Sequence, residues 1–119
     1  MRAAVVNTTV VGPFAHPNDL DRKRIERGLK ARRRYRYVSP HVEKVPGGYR
    51  ITSPCCSRNI DPDGGIIDVA LLLYDPGSVE WHLYRKDHGN DAWQLHSSHE
   101  RLVNVLEYLS ADPERMFWQ

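Results

Sequence analysis

The nine residues IIDVALLLY, 66 to 74, constrain this chain more than any other stretch. Ile and Val sit among nearly continuous apolar positions, which argues a strand at the centre of a sheet, covered on both faces. The run falls well short of the roughly 18 apolar residues that a membrane span requires, so it reads as core. Asp75, Pro76 and Gly77 end it with turn chemistry.

A chain of 119 residues supplies one such core; two domains would leave each half too small to bury its own without disulfides or metal. At 40% apolar and 27% charged residues, the composition is that of a soluble globular protein with no membrane association. The opening MRAAVVNTTVVGPFAHP has one basic residue, and Asn7, Thr8 and Thr9 interrupt its apolar stretch, so it makes a poor secretory signal. The only two cysteines, Cys55 and Cys56, are adjacent and offer no disulfide framework, which leaves a reducing cytoplasm as the expected compartment.

Strand patterns surround the apolar run. YRYV at 35 to 38 reads as a short strand, and HVEKV (41 to 45) and YRITS (49 to 53) flank Pro46, Gly47 and Gly48 as a tight hairpin. VEWHLY, 79 to 84, alternates, with Val79, Trp81 and Leu83 on one face and Glu80, His82 and Tyr84 on the other. AWQLH, 92 to 96, repeats the alternation after the turn KDHGN. Antiparallel pairing would bring Trp81, Leu83, Trp93 and Leu95 together on the core face. It would place His82 and His96 on the opposite face, near Glu80 and Gln94.

Helical patterns stand at both ends. Asn18 or Asp19 caps a helix through DRKRIERGLKARRR to about Arg34, with Asp19 and Asp21 near its positive end. Ile25 and Leu29 mark its buried stripe; Lys23, Arg27, Lys30 and Arg34 fall together on the other side, with Arg33 on the flank. Ser97 and Glu100 have capping-box spacing ahead of Leu102, Val105, Leu106 and Leu109, a second amphipathic helix that Asp112 and Pro113 stop. Phe117 or Trp118 is expected to fold back over the core rather than sit in water. The expected fold is α+β: an N-terminal helix, a mostly antiparallel sheet of four to five strands, and a C-terminal helix packed on the sheet. Residues 1 to 17, broken by Pro13 and Pro17, read as an extended or mobile arm, and residues 18 to 119 as one domain.

From Asp68 to Trp118 the chain shows an apolar strand ending in Tyr74, W-x-L-Y at Trp81 to Tyr84, an Arg and an Asp soon after, a second Trp at 93, a leucine-bearing helix and a closing D-P-x-x-x-F-W at Asp112 to Trp118. This combination resembles the bacterial domain-of-unknown-function family 3024. The resemblance implies a small bacterial domain of helix, antiparallel strands and helix. It implies no catalytic residue, because the family carries no established activity. The chain departs from the family at Cys55 to Gly65, where an arginine-proline segment is expected, and in its extra first 18 residues.

SPCCSRNIDPDGG, 53 to 65, is the stretch most suggestive of chemistry. Zinc needs three or four converging ligands, and adjacent cysteines in an extended segment point apart, so at most one of Cys55 and Cys56 could join His82, His88, His96 or His99. H-S-S-H at 96 to 99 has chelating spacing at the expected start of the second helix. Thiol chemistry needs a lowered pKa; Arg58 supplies a positive neighbour, but spacing identifies no base. D-P-D-G-G lacks the further oxygens and closing Glu of a calcium loop and reads as a turn. Glu80, His82 and His96 could form an acid-base cluster, although a solvated polar strand face has the same pattern. The tryptophans and tyrosines fit core filling better than base stacking. No cofactor is read.

Charge gives the remaining signal. Residues 1 to 50 carry 12 Lys/Arg against 4 Asp/Glu, while residues 51 to 119 carry 5 against 11. The plain reading is two halves packed together; the sharper one is a basic surface that meets an acidic partner. The expected function is therefore a non-catalytic binding module. Lys23, Arg27, Lys30, Arg33 and Arg34 would contact a protein or, weakly and without sequence preference, nucleic acid; a second copy of this chain stays open as a partner. The alternative is a metal- or thiol-dependent protein centred on Cys55, Cys56 and the histidines.

Overall fold

The computed structural model describes residues 15–31, 39–54 and 65–118. The chain runs α1 (Asp19–Leu29), β1 (His41–Val45), β2 (Gly48–Pro54), β3 (Ile66–Asp75), β4 (Glu80–Asp87), β5 (Ala92–His99) and α2 (Leu102–Ala111). The five strands form one sheet in sequence order, each antiparallel to the next. This is the α+β fold expected, with β3 in the middle. The expected strand at 35 to 38 lies outside the described residues, as do Arg33 and Arg34.

The β1–β2 hairpin closes through Pro46 and Gly47, because Val45 already pairs with Gly48. Proline followed by a glycine at φ 81° suits a type II turn. Gly48 is required for a second reason: a Cβ there would collide with the carbonyl of Leu72 on β3.

One face of the sheet carries the core. Val42, Ile51 and Ala70 form one cross-strand row and Tyr49, Leu72 and Leu83 another, all buried. Ile25 and Leu29 of α1, Val105 and Leu109 of α2, and Phe117 and Trp118 cover them. Leu102 and Leu106 pack against this cluster from its margin. Among the described residues both helices lie on this face, so β3 is central yet not covered on both sides: Leu71 and Leu73 are only half-buried. The other face carries a polar row. Glu43, Arg50, Asp68 and Lys86 bridge four successive strands through ion pairs of 2.9, 2.6 and 2.9 Å. Burial pushes the Asp68 carboxyl up, and the hydrogen bonds from Lys86 and Arg50 overcome it, holding the group below its ordinary value.

Two β-bulges break the strict alternation. Ile51 pairs with Ala70 but Thr52 pairs with Asp68, which leaves Val69 as an extra residue. Leu83 pairs with Ser97 but Tyr84 pairs with Leu95, which leaves His96 as another. The second bulge corrects the expected hairpin. One inserted residue exchanges the two faces beyond it, so Trp81 is 5% exposed in the core while Leu95 is 57% exposed. Trp93 is half-buried on the polar face, with Lys86 Nζ 4.9 Å from its ring centre. His82 and His96 consequently do not share a face.

Helix boundaries also differ from expectation. Asn18 caps α1 by accepting a 2.7 Å hydrogen bond from the Asp21 amide. The helix ends at Leu29 rather than Arg34, as the Lys30 and Ala31 amides turn back to the carbonyls of Arg27 and Gly28. At Gly28 the two helices nearly touch: a Cβ would lie 2.8 Å from Leu106 Cδ1, and Ser110 Oγ donates to the Gly28 carbonyl at 3.2 Å. α2 begins at Leu102 because pairing of Ser98 and His99 with β4 carries the strand past the anticipated cap, and the Ser97–Glu100 capping box does not form.

The closing D-P-x-x-x-F-W has a clear physical role. Asp112 adopts the left-handed conformation (φ 40°) that ends α2. Its buried carboxylate then accepts from the amides of Met116 (2.9 Å), Phe117 (3.3 Å) and Trp118 (2.9 Å). Trp118 Nε1 donates to the Leu109 carbonyl at 2.8 Å, so both aromatic residues return onto the core as expected.

Candidate functional site

α1 and α2 converge at Gly28 and spread apart toward the N-terminus of each. Between them lies a groove of about 750 Å³, floored by Tyr74 and Trp81 of the sheet together with His16. His16 sits just before α1, in the segment read from sequence as the arm, and its imidazole side chain is 7% exposed. Its ring centre is 4.6 Å from that of Trp81, 4.9 Å from Tyr74 and 5.8 Å from Tyr49.

Polar contacts fix the orientation of this histidine. Tyr49 Oη accepts from the Asn18 amide at 2.9 Å, donates to the Asn18 carbonyl at 3.4 Å and stands 2.9 Å from His16 Nδ1. Asn18 Nδ2 is 3.5 Å from the same nitrogen and donates to Asp21 Oδ2 at 3.0 Å. Burial lowers the His16 pKa, and Asp21, 3.7 Å away, pulls it only part of the way back. Nε2 has no hydrogen-bond partner among the described residues.

The cations of α1 divide into two sets. Arg22 is held by Glu26 at 3.1 Å and Asp19 at 3.7 Å, Arg24 by Asp21 at 3.2 Å, and nearby Lys44 of β1 by Asp19 at 2.8 Å. Lys23, Arg27 and Lys30 are exposed and form no ion pair among the described residues. These are the members of the expected stripe that the structure describes, Lys23 and Arg27 on α1 and Lys30 at its C-cap. Arg27 also lines the groove, as Arg101 does from the α2 side.

The histidines do not converge with one another as a single site. His82 lies on the polar face opposite Ser98 and Leu73, and His88 lies in the turn between β4 and β5. His96 and His99 are bridged by Ser97 Oγ, 3.0 Å from His96 Nδ1 and 2.8 Å from His99 Nε2. Tyr108 Oη of α2 is 3.4 Å from His96 Nε2 and donates to Glu114 at 3.1 Å, which ties the β5 bulge to the end of α2. Cys55, Cys56, Arg58 and residues 61 to 64 lie outside the described residues. Among the described residues no three His, Cys, Asp or Glu side chains stand together as a metal set. Sequence reasoning missed the groove, because His16, Trp81 and Arg101 are far apart in the chain and nothing in their spacing joins them.

A five-stranded antiparallel meander carrying two helices on one face, with a basic helix edge beside an aromatic-floored groove, defines a small α+β domain. Residues 14–119 match the family described as Domain of unknown function (DUF3024), and the chain belongs to that family. No curated protein and no solved structure matches the chain. No helix among the described residues is long and apolar enough to cross a membrane.

Proposed function

We propose that this domain is a non-catalytic binding module that contacts the phosphate backbone of nucleic acid through the basic edge of α1. The observation that carries the reading is the division of the helix cations. Arg22, Arg24 and Lys44 are neutralised by neighbouring carboxylates, whereas Lys23, Arg27 and Lys30 face solvent without one among the described residues. The acidic half of the chain does not compensate them either. Among the described residues only the Arg50–Asp68 pair joins residues 1 to 50 to residues 51 to 119. At 1.5 Å rise per residue the three cations span about 10 Å, enough to meet successive phosphates.

Binding of this kind is weak and indifferent to sequence, since the edge offers no base-reading side chain. Fluorescence anisotropy at low salt with single- and double-stranded DNA and RNA tests it. The expected result is binding at micromolar protein that Lys23→Glu with Arg27→Glu abolishes, while circular dichroism shows the fold retained. No binding to any of the four leaves an acidic protein surface as the partner of the same edge. The alternative is centred on Cys55 and Cys56, which lie outside the described residues. Stoichiometric zinc in the purified protein, measured by elemental analysis, would favour it.

A further inference from the structure

The groove has features that the polyanion reading does not use. Leu20 of α1 is 56% exposed and Val103 of α2 is 47% exposed, and both line it. Large apolar side chains left in water on facing helices, above the rings of Tyr74 and Trp81, form a cleft for a flat apolar body. Its volume of about 750 Å³ is that of a small-molecule site rather than a packing defect. The polar groups around it favour negative charge. Arg27 and Arg101 line it without ion pairs among the described residues, while Asp21 is already engaged by Arg24 and only Glu100 opposes them. The His16 side chain, 7% exposed, adds a ring nitrogen, Nε2, that has no hydrogen-bond partner among the described residues.

We propose that this groove binds a small aromatic anion. Its ring lies between Leu20 and Val103 over Trp81 and Tyr74; its acidic group meets Arg27 and Arg101; and the His16 ring borders it at the floor. A planar ring matches the aromatic floor, and guanidinium groups suit a carboxylate or sulfonate, which offers oxygens in the plane of their N–H donors. The proposal goes beyond polyanion binding and uses other residues, sharing only Arg27 with it.

The full-length protein is titrated with 8-anilinonaphthalene-1-sulfonate, an aromatic anion, and with its uncharged relative N-phenyl-1-naphthylamine. The expected result is saturable binding of one anion per chain, about tenfold tighter than the neutral probe, as loss of a charge-assisted contact implies. Arg101→Glu should weaken the anion by at least about tenfold, and Arg27→Gln, which leaves Arg101 in place, should weaken it less. Lys23→Glu with Lys30→Glu should leave it unchanged, so failure of the nucleic-acid reading and failure of this one are separable. The ¹⁵N resonance of His16 Nε2 should shift on saturation. Non-saturable binding, equal affinity for the two probes, or an affinity that neither arginine variant changes would overturn the proposal.

Discussion

At Asp112 one residue performs two tasks. Its left-handed backbone ends α2, a conformation Asp tolerates better than bulkier residues, and its carboxylate gathers the next turn's amides. Asp112→Ala should therefore cost about 3 kcal/mol in urea unfolding, from several orphaned buried donors, and Asp112→Asn distinctly less. The motif was legible in sequence while its mechanism was not, since D-P reads only as a helix stop. His16 was illegible altogether: a lone histidine between prolines has no periodicity to place it. Its depressed pKa has a testable sign. Below the ordinary value of 6.5 the unfolded chain takes up a proton that the folded His16 refuses, so its contribution is complete above that pH and is lost as pH falls through the folded value. His88 and His99, lowered by burial and by the neighbouring charges of Lys86 and His96 respectively, act in the same sense. Denaturation curves should show stability falling from pH 7 to pH 5; constant or rising stability would contradict this.

Among the elements, the five strands and both helices were readable because period 2 and period 3.6 are local properties of the chain. What failed was parity. The bulge at His96 moves Trp93 and Leu95 off the core face, and no residue in AWQLH announces it, because a bulge is fixed by the partner strand and by Tyr108 and Phe117 above it. The consequence is measurable through three tryptophans with unequal environments. Trp81→Ala should cost about 3 to 5 kcal/mol, as deletion of a buried aromatic does, and Trp93→Ala about 1 kcal/mol. Acrylamide should quench Trp93 readily, with Trp81 and Trp118 shielded. Equal protection of Trp81 and Trp93 would restore the unbulged hairpin. The capping box failed for a related reason: Ser97 satisfies a local pattern, but its neighbours Ser98 and His99 gain more by pairing with His82 and Trp81.

For the molecule as a whole, sequence disclosed the charge asymmetry but not which cations are spent internally. That depends on carboxylates brought close by folding: Asp19 reaches Lys44 across α1 and β1, and Arg50 meets Asp68 across two strands. The groove was hidden for the same reason, as its walls come from both ends of the chain and its floor from the middle. In the proposed function, the cations on α1 without a carboxylate partner among the described residues are the ones that meet phosphate. This is tested most directly by the salt dependence of duplex DNA binding. Counterion release gives about −0.9 in d log K/d log [salt] for each phosphate neutralised. Three contacts from Lys23, Arg27 and Lys30 predict a slope of about −3, falling to about −1 when Lys23 and Lys30 are replaced by Gln. A slope that the double substitution leaves unchanged, or binding insensitive to salt, would contradict the account.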